Sequence, residues 1–151
     1  MNLRTYLPSD WERLSMIHDA ARLHELQASG LADAFLSLEQ TAGNEGLFEG
    51  QVIVAEVQGL VRGFAAYAEG ELTWLYVDPE TYRQGIGRRL LRYAIQASGD
   101  TMSTEVLVGN EPALALYLSE GFEVQRRVDG KLAGNESFAA SGYLLRRTGG
   151  A

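Results

Sequence analysis

Three β-rich runs follow one another with only two-residue turns between them, and this pattern restricts the fold more than any other feature of the chain. The runs are QVIVAEV, LVRGFAAYA and ELTWLYV, and Gln58-Gly59 and Glu69-Gly70 separate them. Two-residue turns that end in glycine are typical of hairpins, so the runs predict an antiparallel meander. A helix from about Gly85 to Ser98 and a strand, STEVLV, come next. That strand should pair in parallel with ELTWLYV, because a crossover helix lies between them.

Helical patterns flank the meander on both sides. After a short strand at LRTY, we expect a helix from about Asp10 to Ala28, opened by a capping box of Ser9 and Glu12. LADAFLSL predicts a second, short helix. NEPALALYLSE predicts a helix that Asn110 caps and Gly121 ends. The sequences FEVQRRV and SGYLLRRT predict a closing hairpin around a loop, DGKLAGNES, which completes a mixed α/β fold.

Length and composition limit the class of protein. At 151 residues we expect one domain, over residues 1–148, with a flexible tail at 149–151. The net charge of −7 gives no general attraction to nucleic acid or to anionic membranes. Cysteine is absent, which excludes disulfides and thiolate chemistry. No apolar run has membrane-spanning length and the N-terminus shows no signal-peptide core, so we expect a cytoplasmic protein.

The stretch PETYRQGIGRRLL, residues 79–91, has the features of an anion-binding turn. Glycines at 85 and 87 let the chain fold tightly at the start of a helix, where backbone N–H groups have no partner within the helix. A Walker loop is excluded because Arg88 follows where lysine is required, and a dinucleotide fingerprint is excluded because Leu90 stands where glycine or alanine is required. From these residues alone, a phosphate site and a merely tight turn are about equally supported.

The wider pattern resembles a known family. WLYVDPETYRQGIGRRLL resembles motif A of the GCN5-related N-acetyltransferase (GNAT) superfamily, and NEPALALYLSEGF resembles its motif B. The two motifs and the strands between them cover about Glu71 to Val124. One departure is Tyr82, which stands where the family has glutamine or arginine. The resemblance implies a mostly antiparallel sheet with one splayed parallel strand pair and helices on both faces.

The resemblance also implies a reaction: direct transfer of acetyl from acetyl-CoA to a primary amine, without metal. The acceptor would be a small metabolite, a peptide N-terminus or a lysine. Tyr117 would protonate the departing CoA sulfur, and a backbone N–H near Leu75 would stabilise the oxyanion. The glycine turn from about Arg83 to Arg88 would hold the diphosphate of CoA. The strand ELTWLYV would hold the pantetheine arm of CoA, and Asn110 would lie near that arm. The cofactor-binding residues would then be Leu75, Tyr76, Val77, Arg83, Gln84, Gly85, Ile86, Gly87, Arg88, Asn110 and Tyr117.

The general base has several candidates. Glu71 opens the third meander strand, where some members of the family place a catalytic glutamate, but it could equally be a solvated residue beside the turn. Trp74, Tyr76 and Glu56 are other candidates for the acceptor side. The two histidines lie six positions apart, about 240° around a helix, so they cannot chelate one ion together. We expect His24 to border the core and His18 to lie at the surface.

Two other hypotheses compete with the interpretation of this chain as an enzyme. A domain of this type could bind acyl-CoA as a sensor or interaction module without transferring the acyl group. Alternatively, the glycine turn could bind another phosphorylated ligand in a different fold. Tyr117 and Asn110 favour the enzyme, whereas Tyr82 leaves room for the sensor. Dimers are frequent in the family, and the final hairpin is a candidate contact for a homodimer.

Overall fold

The computed structural model describes residues 1–149 and contains one seven-stranded sheet. Its spatial order is β1-β2-β3-β4-β5-β7-β6. All neighbouring strands are antiparallel except β4 and β5, which are parallel, as predicted from the crossover helix. The strands are β1 Asn2–Thr5, β2 Gln51–Val57, β3 Leu60–Ala68, β4 Glu71–Val77, β5 Met102–Leu107, β6 Glu123–Leu132 and β7 Asn135–Arg147.

Helices cover both faces of the sheet. They are α1 Trp11–Ala28, the single turn α2 Leu38–Thr41, α3 Ile86–Ala97 and α4 Glu111–Ser119. Alternation along β2 separates the two layers, because Ile53 packs with α3 whereas Val54 packs with α1. Helix α3 comes so close to β3 that a Cβ on Gly63 would lie 3.0 Å from Ile86 Cγ2. The fold class predicted from the sequence is confirmed.

The meander is built as its turns predict. Gln58 and Gly59 have φ values of 52° and 79°, and Glu69 and Gly70 have 52° and 77°. Both turns therefore hold two left-handed residues, the conformation that matches the twist of a hairpin. Strand β4 then pairs with β5 only at Glu71 and Ser103, within the described part of the chain. Beyond that pair the two strands separate toward their C-terminal ends.

A β-bulge interrupts the alternation of β4. Ala66 pairs with Trp74 and Tyr67 with Leu72, so Thr73 is an extra residue without a partner on β3. As a result Leu72 and Leu75 both pack on the α3 side, while Trp74 and Tyr76 pack on the α1 side. Simple alternation from Glu71 therefore assigns the wrong face to the second half of the strand.

The predicted capping box at the start of α1 is wrong. Asp10, rather than Ser9, holds this end: its carboxylate accepts the Leu7 N–H at 2.8 Å and pairs with Arg4 at 2.8 Å. The reason is a 3-10 turn over Pro8–Asp10, which moves the helix start beyond Ser9. Hydrogen bonding to Arg4, together with the Leu7 N–H, lowers the pKa of Asp10 despite its burial.

Two other segments differ from the prediction. LADAFLSL forms a 3-10 turn at Ala32–Ala34, and α2 begins only at Leu38. The expected loop DGKLAGNES is instead mostly strand, because β6 and β7 extend until only Ala133 and Gly134 remain between them. Of the expected tail, Gly149 donates its N–H to Thr101 Oγ1 at 3.0 Å, while residues 150 and 151 lie outside the described residues.

Candidate active site

A cleft of about 460 Å³ opens where β4 and β5 separate. Its walls come from six parts of the chain: α1, the segment 34–45, β4, β5, α4 with its cap, and the β6–β7 hairpin. The hairpin tip reaches α1, where Arg22 donates to Ala133 O at 3.4 Å. Asn135 donates to Ala34 O at 3.1 Å, which holds the other side of the tip. The tip of the β6–β7 hairpin therefore covers the gap between β4 and β5 on the α1 side.

The glycine turn lies at the open end of this gap. Arg83 and Gly85 adopt left-handed φ values of 67° and 80°, and α3 begins at Ile86. The first helical hydrogen bond runs from Arg89 N–H to Gly85 O at 3.0 Å. Within residues 1–149, the N–H groups of residues 83–88 have no acceptor. These donors, at the positive end of the α3 dipole, are available to an anion.

Asp78 fixes the chain just before the turn. Its side chain accepts the Glu80 N–H at 3.0 Å and pairs with Arg62 at 2.8 Å and Arg13 at 3.3 Å. Burial alone would raise the pKa of Asp78, but these hydrogen bonds and charges outweigh it and lower the pKa. One carboxylate thus joins β3, α1 and the segment that leads into the turn.

The arginines of the turn have different surroundings. The Arg88 guanidinium contacts Glu120 and donates to Ser119 Oγ at 3.0 Å, which ties α3 to the end of α4. Arg88 therefore offers the turn its backbone N–H, while its side chain is engaged by Glu120. Arg83 and Gln84 are exposed. Tyr82 is half exposed and lies edge-on to His24, with ring centroids 6.2 Å apart.

Tyr117 points into the cleft from α4. It is only 6% exposed, packs on Phe122 and lies near Thr104 of β5. Burial, together with the negative charge of Glu25, raises the pKa of Tyr117, and the Thr104 hydroxyl opposes this only in part. The phenol consequently keeps its proton at neutral pH, as a proton donor must.

Glu25 is a central residue of the cleft that the sequence did not reveal. Its carboxylate accepts from Asn110 Nδ2 at 3.0 Å and from the Tyr76 hydroxyl at 3.5 Å, and it contacts the Arg22 guanidinium. Burial and the charge of Glu25 raise the pKa of Tyr76, while Arg22 acts in the opposite direction. Asn110 also caps α4, because its Oδ1 accepts the Ala113 N–H at 3.4 Å. One side chain therefore connects Glu25 of α1 to the start of α4.

The predicted candidates for the acceptor side do not all reach the cleft. Glu71 lines its closed end and is exposed, and Trp74 and Tyr76 line the α1 side. Glu56 is not among the lining residues, and it lies 3.7 Å from Arg4. Two lining carboxylates, Glu45 and Glu105, were not predicted. Only the packing of distant segments brings both of them to the cleft, so no local pattern marks them.

The expectation for the histidines is wrong in both cases. His18 is 2% exposed and lines the cleft, whereas His24 is exposed. The buried stripe of α1 runs through Leu14, Ile17 and Ala21, and His18 lies on its edge. The sequence pattern placed His24 on that stripe, but His24 is exposed, and the next buried residue, Leu26, packs in a separate cluster with Ala34 and Leu132.

Comparison with known proteins gives a consistent result. The family model described as "Acetyltransferase (GNAT) domain" matches residues 48–124. Peptidyl-lysine N-acetyltransferase YiaC of Escherichia coli K12 is 35% identical over 72 residues, 47% of this chain and 49% of that protein. N-alpha-acetyltransferase RimI of Mycobacterium tuberculosis H37Rv is 40% identical over 83 residues, 54% of this chain and 51% of that protein. The chain spans about half the length of these curated relatives.

A solved structure resembles the whole architecture. It is a GNAT superfamily phosphinothricin acetyltransferase from Sinorhizobium meliloti, determined in complex with acetyl-CoA. The TM-score is 0.72 at 20% identity, with 97% of this chain and 86% of that chain covered. At this identity the likeness concerns the fold.

Among the helices of residues 1–149, none is long and apolar enough to cross a membrane.

Proposed function

Because the chain belongs to the GNAT acetyltransferase family, as its motifs predicted, we propose that it transfers acetyl from acetyl-CoA to a primary amine by direct attack. One observation carries this proposal: β4 and β5 separate after the Glu71–Ser103 pair, and the unpaired N–H groups of residues 83–88 lie at the open end. A free strand edge and a set of anion donors suit the two parts of CoA, an amide-containing arm and a diphosphate. We include in the proposal that residues 1–148 act as one domain.

The cofactor would lie along this edge. The diphosphate would accept from the turn amides between Arg83 and Arg88, and the pantetheine amides would bond the β4 backbone from Leu75 to Val77. That stretch of β4 has no strand partner on the β5 side. Asn110 stands across the gap at the start of α4. In this binding mode the thioester of acetyl-CoA would lie between Leu75 and Tyr117.

The chemistry needs three groups. A lysine-like amine has a pKa near 10.4, so removing its proton at pH 7 costs roughly 4–5 kcal/mol and calls for a base or desolvation. A β4 backbone N–H near Leu75 would stabilise the oxyanion, and Tyr117 would protonate the CoA thiolate. The Tyr117 phenol is protonated at neutral pH and lines the cleft, so it can donate to the sulfur, although its raised pKa makes it a weaker acid than a free tyrosine. Glu71 stays a prediction for the base.

The acceptor would be cationic. Glu45, Glu71 and Glu105 line the cleft and outnumber its one lysine, Lys131, while the Arg22 charge is already paired with Glu25. The named activities of the two relatives, on a peptidyl lysine and on an α-amino group, make peptide amines the first acceptors to test. A homodimer and a cytoplasmic location stay predictions.

Two measurements test the proposal. Acetyl-CoA should raise the melting temperature more than ATP or NAD does. Thiol release from acetyl-CoA should then occur with at least one of four amines: n-butylamine, spermidine, Nα-acetyl-lysine methylamide and an alanine-initiated hexapeptide. Because the chain has no cysteine, the thiol signal has no protein background. Selective stabilisation by acetyl-CoA without thiol release from any amine would favour the sensor, and no stabilisation would overturn cofactor binding.

A further inference from the structure

His18 is a buried, titratable side chain in the cleft that the chemistry above does not use. Its side chain is 3% exposed, yet the residue lines the cleft. The imidazole lies edge-on to Tyr76, with ring centroids 4.9 Å apart, and 5.7 Å from the Trp74 ring. Because Trp74 and Tyr76 flank Leu75, the imidazole lies over the β4 segment that we propose holds the thioester.

The contacts of His18 fix its tautomer. Nδ1 lies 3.0 Å from Asp19 Oδ1, and the same oxygen accepts the Leu38 N–H at 2.9 Å. A carboxylate only accepts hydrogen bonds, so Nδ1 carries the proton and Nε2 presents a lone pair. Within residues 1–149, the hydrogen bond at Nδ1 is the only one that the ring makes. An oriented imidazole with a free Nε2 is the arrangement that general bases use.

The carboxylates of the cleft are less suited to this task. The Glu25 carboxylate is occupied by Arg22, Tyr76 and Asn110, so its oxygens are already paired. Glu71 and Glu105 are exposed to water, which weakens their effect on a buried amine. His18 combines burial with an unpaired acceptor, and the side chain of its partner Asp19 is 38% exposed.

We propose that His18 Nε2 accepts the proton of the attacking amine, with Asp19 orienting the ring. This inference rests on the proposed acetyl transfer. The amine nitrogen bonds to the thioester carbonyl carbon and the C–S bond breaks. The amine proton passes to His18 Nε2, and the thiolate takes a proton from Tyr117. Solvent then restores both groups, so the net products are the acetylated amine and CoA thiol.

The environment of the ring gives a pH signature. The charged and titratable groups around His18 are Asp19, Arg22 and Glu25 on α1 and Tyr76 on β4. Burial lowers the pKa of His18 below its ordinary value, and the hydrogen bond and charge of Asp19 oppose this only in part. A base must be neutral, so kcat should fall on the acid side of that lowered pKa. The acceptor amine ionises higher, near 7.7–8.0 for a peptide N-terminus, and does so for every variant.

The experiment compares three variants with the alanine-initiated hexapeptide and Nα-acetyl-lysine methylamide as acceptors. We expect His18→Gln to lower kcat about 100-fold and to remove the acid limb that lies below the ionisation of the amine itself. Asp19→Asn, whose amide oxygen can keep both hydrogen bonds, should cost less and move the acid limb to lower pH. His24→Gln changes an exposed histidine on the same helix and should match the wild type. The melting shift with acetyl-CoA reports whether each variant still folds and binds.

The outcomes separate this inference from the proposed function. If His18→Gln keeps the wild-type rate and acid limb, the inference is overturned while acetyl transfer stands. If Glu71→Gln, rather than His18→Gln, removes the acid limb, Glu71 is the base and the inference is again overturned. If His18→Gln fails to fold, Asp19→Asn decides, because an unmoved limb contradicts the role of His18. If the wild type acetylates neither peptide-like probe but does acetylate n-butylamine or spermidine, the variants are compared with that amine as acceptor. If the wild type is inactive on all four amines, both proposals are overturned.

Discussion

At the scale of single residues, the buried phenol of Tyr117 allows a substitution that changes chemistry more than packing. Tyr117→Phe keeps the ring against Phe122 and removes the proton donor. We expect kcat to fall about 100-fold while the affinity for acetyl-CoA is retained. Thiol release and the melting shift measure the two effects. Tyr93→Phe, at an exposed position of α3, is the matched control, and an unchanged kcat in Tyr117→Phe would remove the acid role.

The two glycines of the turn should respond differently to alanine. Gly85 has a φ of 80°, where an L side chain costs roughly 1–2 kcal/mol, so Gly85→Ala should lower both stability and acetyl-CoA affinity. At Gly87 a Cβ would meet Val77 Cγ2 at 3.5 Å, an ordinary contact, and φ is not left-handed. Gly87→Ala should therefore be neutral or stabilise α3 by up to about 1 kcal/mol. Denaturant unfolding with and without acetyl-CoA would show the contrast, and equal losses would contradict it.

Individual residues were also where sequence reasoning failed. Gly85 and Asn110 lie where a local pattern placed them, because each caps the start of a helix. His18 and His24 have the opposite environments to those expected, because the buried stripe of α1 includes His18 and ends before His24. Whether a borderline histidine faces the core depends on what packs against the helix, and the sequence of the helix does not contain that information.

At the scale of elements, Asp78 joins three of them, and its ionisation should be visible in stability. Its pKa is lowered in the folded protein, so the carboxylate stabilises the fold above its unfolded pKa near 3.9, and this stability is lost as the pH falls through the folded value. We expect Asp78→Asn to lower the free energy of unfolding by roughly 1–3 kcal/mol at pH 7. The difference from wild type should shrink below about pH 4.

A neighbouring carboxylate provides the control for Asp78. The side chain of Glu80 is 83% exposed and lies 3.6 Å from Arg62, so Glu80→Gln should change stability little at any pH. Thermal unfolding from acid to neutral pH would distinguish the two variants. A constant difference between Asp78→Asn and wild type across that range would contradict the role of the charge.

The order of the strands and of the three longer helices followed from the sequence, but details of pairing did not. The turns at Gln58-Gly59 and Glu69-Gly70 fixed the meander because each contains its own conformational signal. The bulge at Thr73 depends on register with β3, which no residue of β4 reveals. Likewise β6 and β7 extend through residues that would favour a loop in isolation, because each strand pairs with the other up to Leu132 and Asn135.

At the scale of the whole molecule, the α1 side of the cleft is the part that the sequence could not predict. It forms where the tip of the last hairpin meets the first helix, as Arg22 contacts Ala133 and Leu132 packs with Leu26. These partners lie more than a hundred positions apart. The cofactor edge, by contrast, arises from consecutive segments between Glu71 and Tyr117, and its motifs could be recognised directly.

The charge of the whole chain leads to a last prediction, on acceptor selection. A net charge of −7 and the lining carboxylates Glu45, Glu71 and Glu105 should attract a cationic acceptor over distances of about a Debye length. Two alanine-initiated hexapeptides, one with a lysine-rich tail and one with a glutamate-rich tail, present the same amine with opposite charge. At saturating acetyl-CoA, kcat/KM should favour the lysine-rich peptide at low ionic strength.

That preference should be sensitive to salt. Raising the ionic strength from about 0.01 M to 1 M shortens the Debye length from roughly 30 Å to 3 Å, so the ratio of kcat/KM values should fall by about tenfold or more. Glu105→Gln should lower the ratio at low salt without changing kcat for n-butylamine, because that carboxylate would act only on distant charges of the acceptor. A ratio that is near unity at low salt, or that does not change with salt, would show that acceptor choice depends on contacts rather than on the field of the acidic cleft.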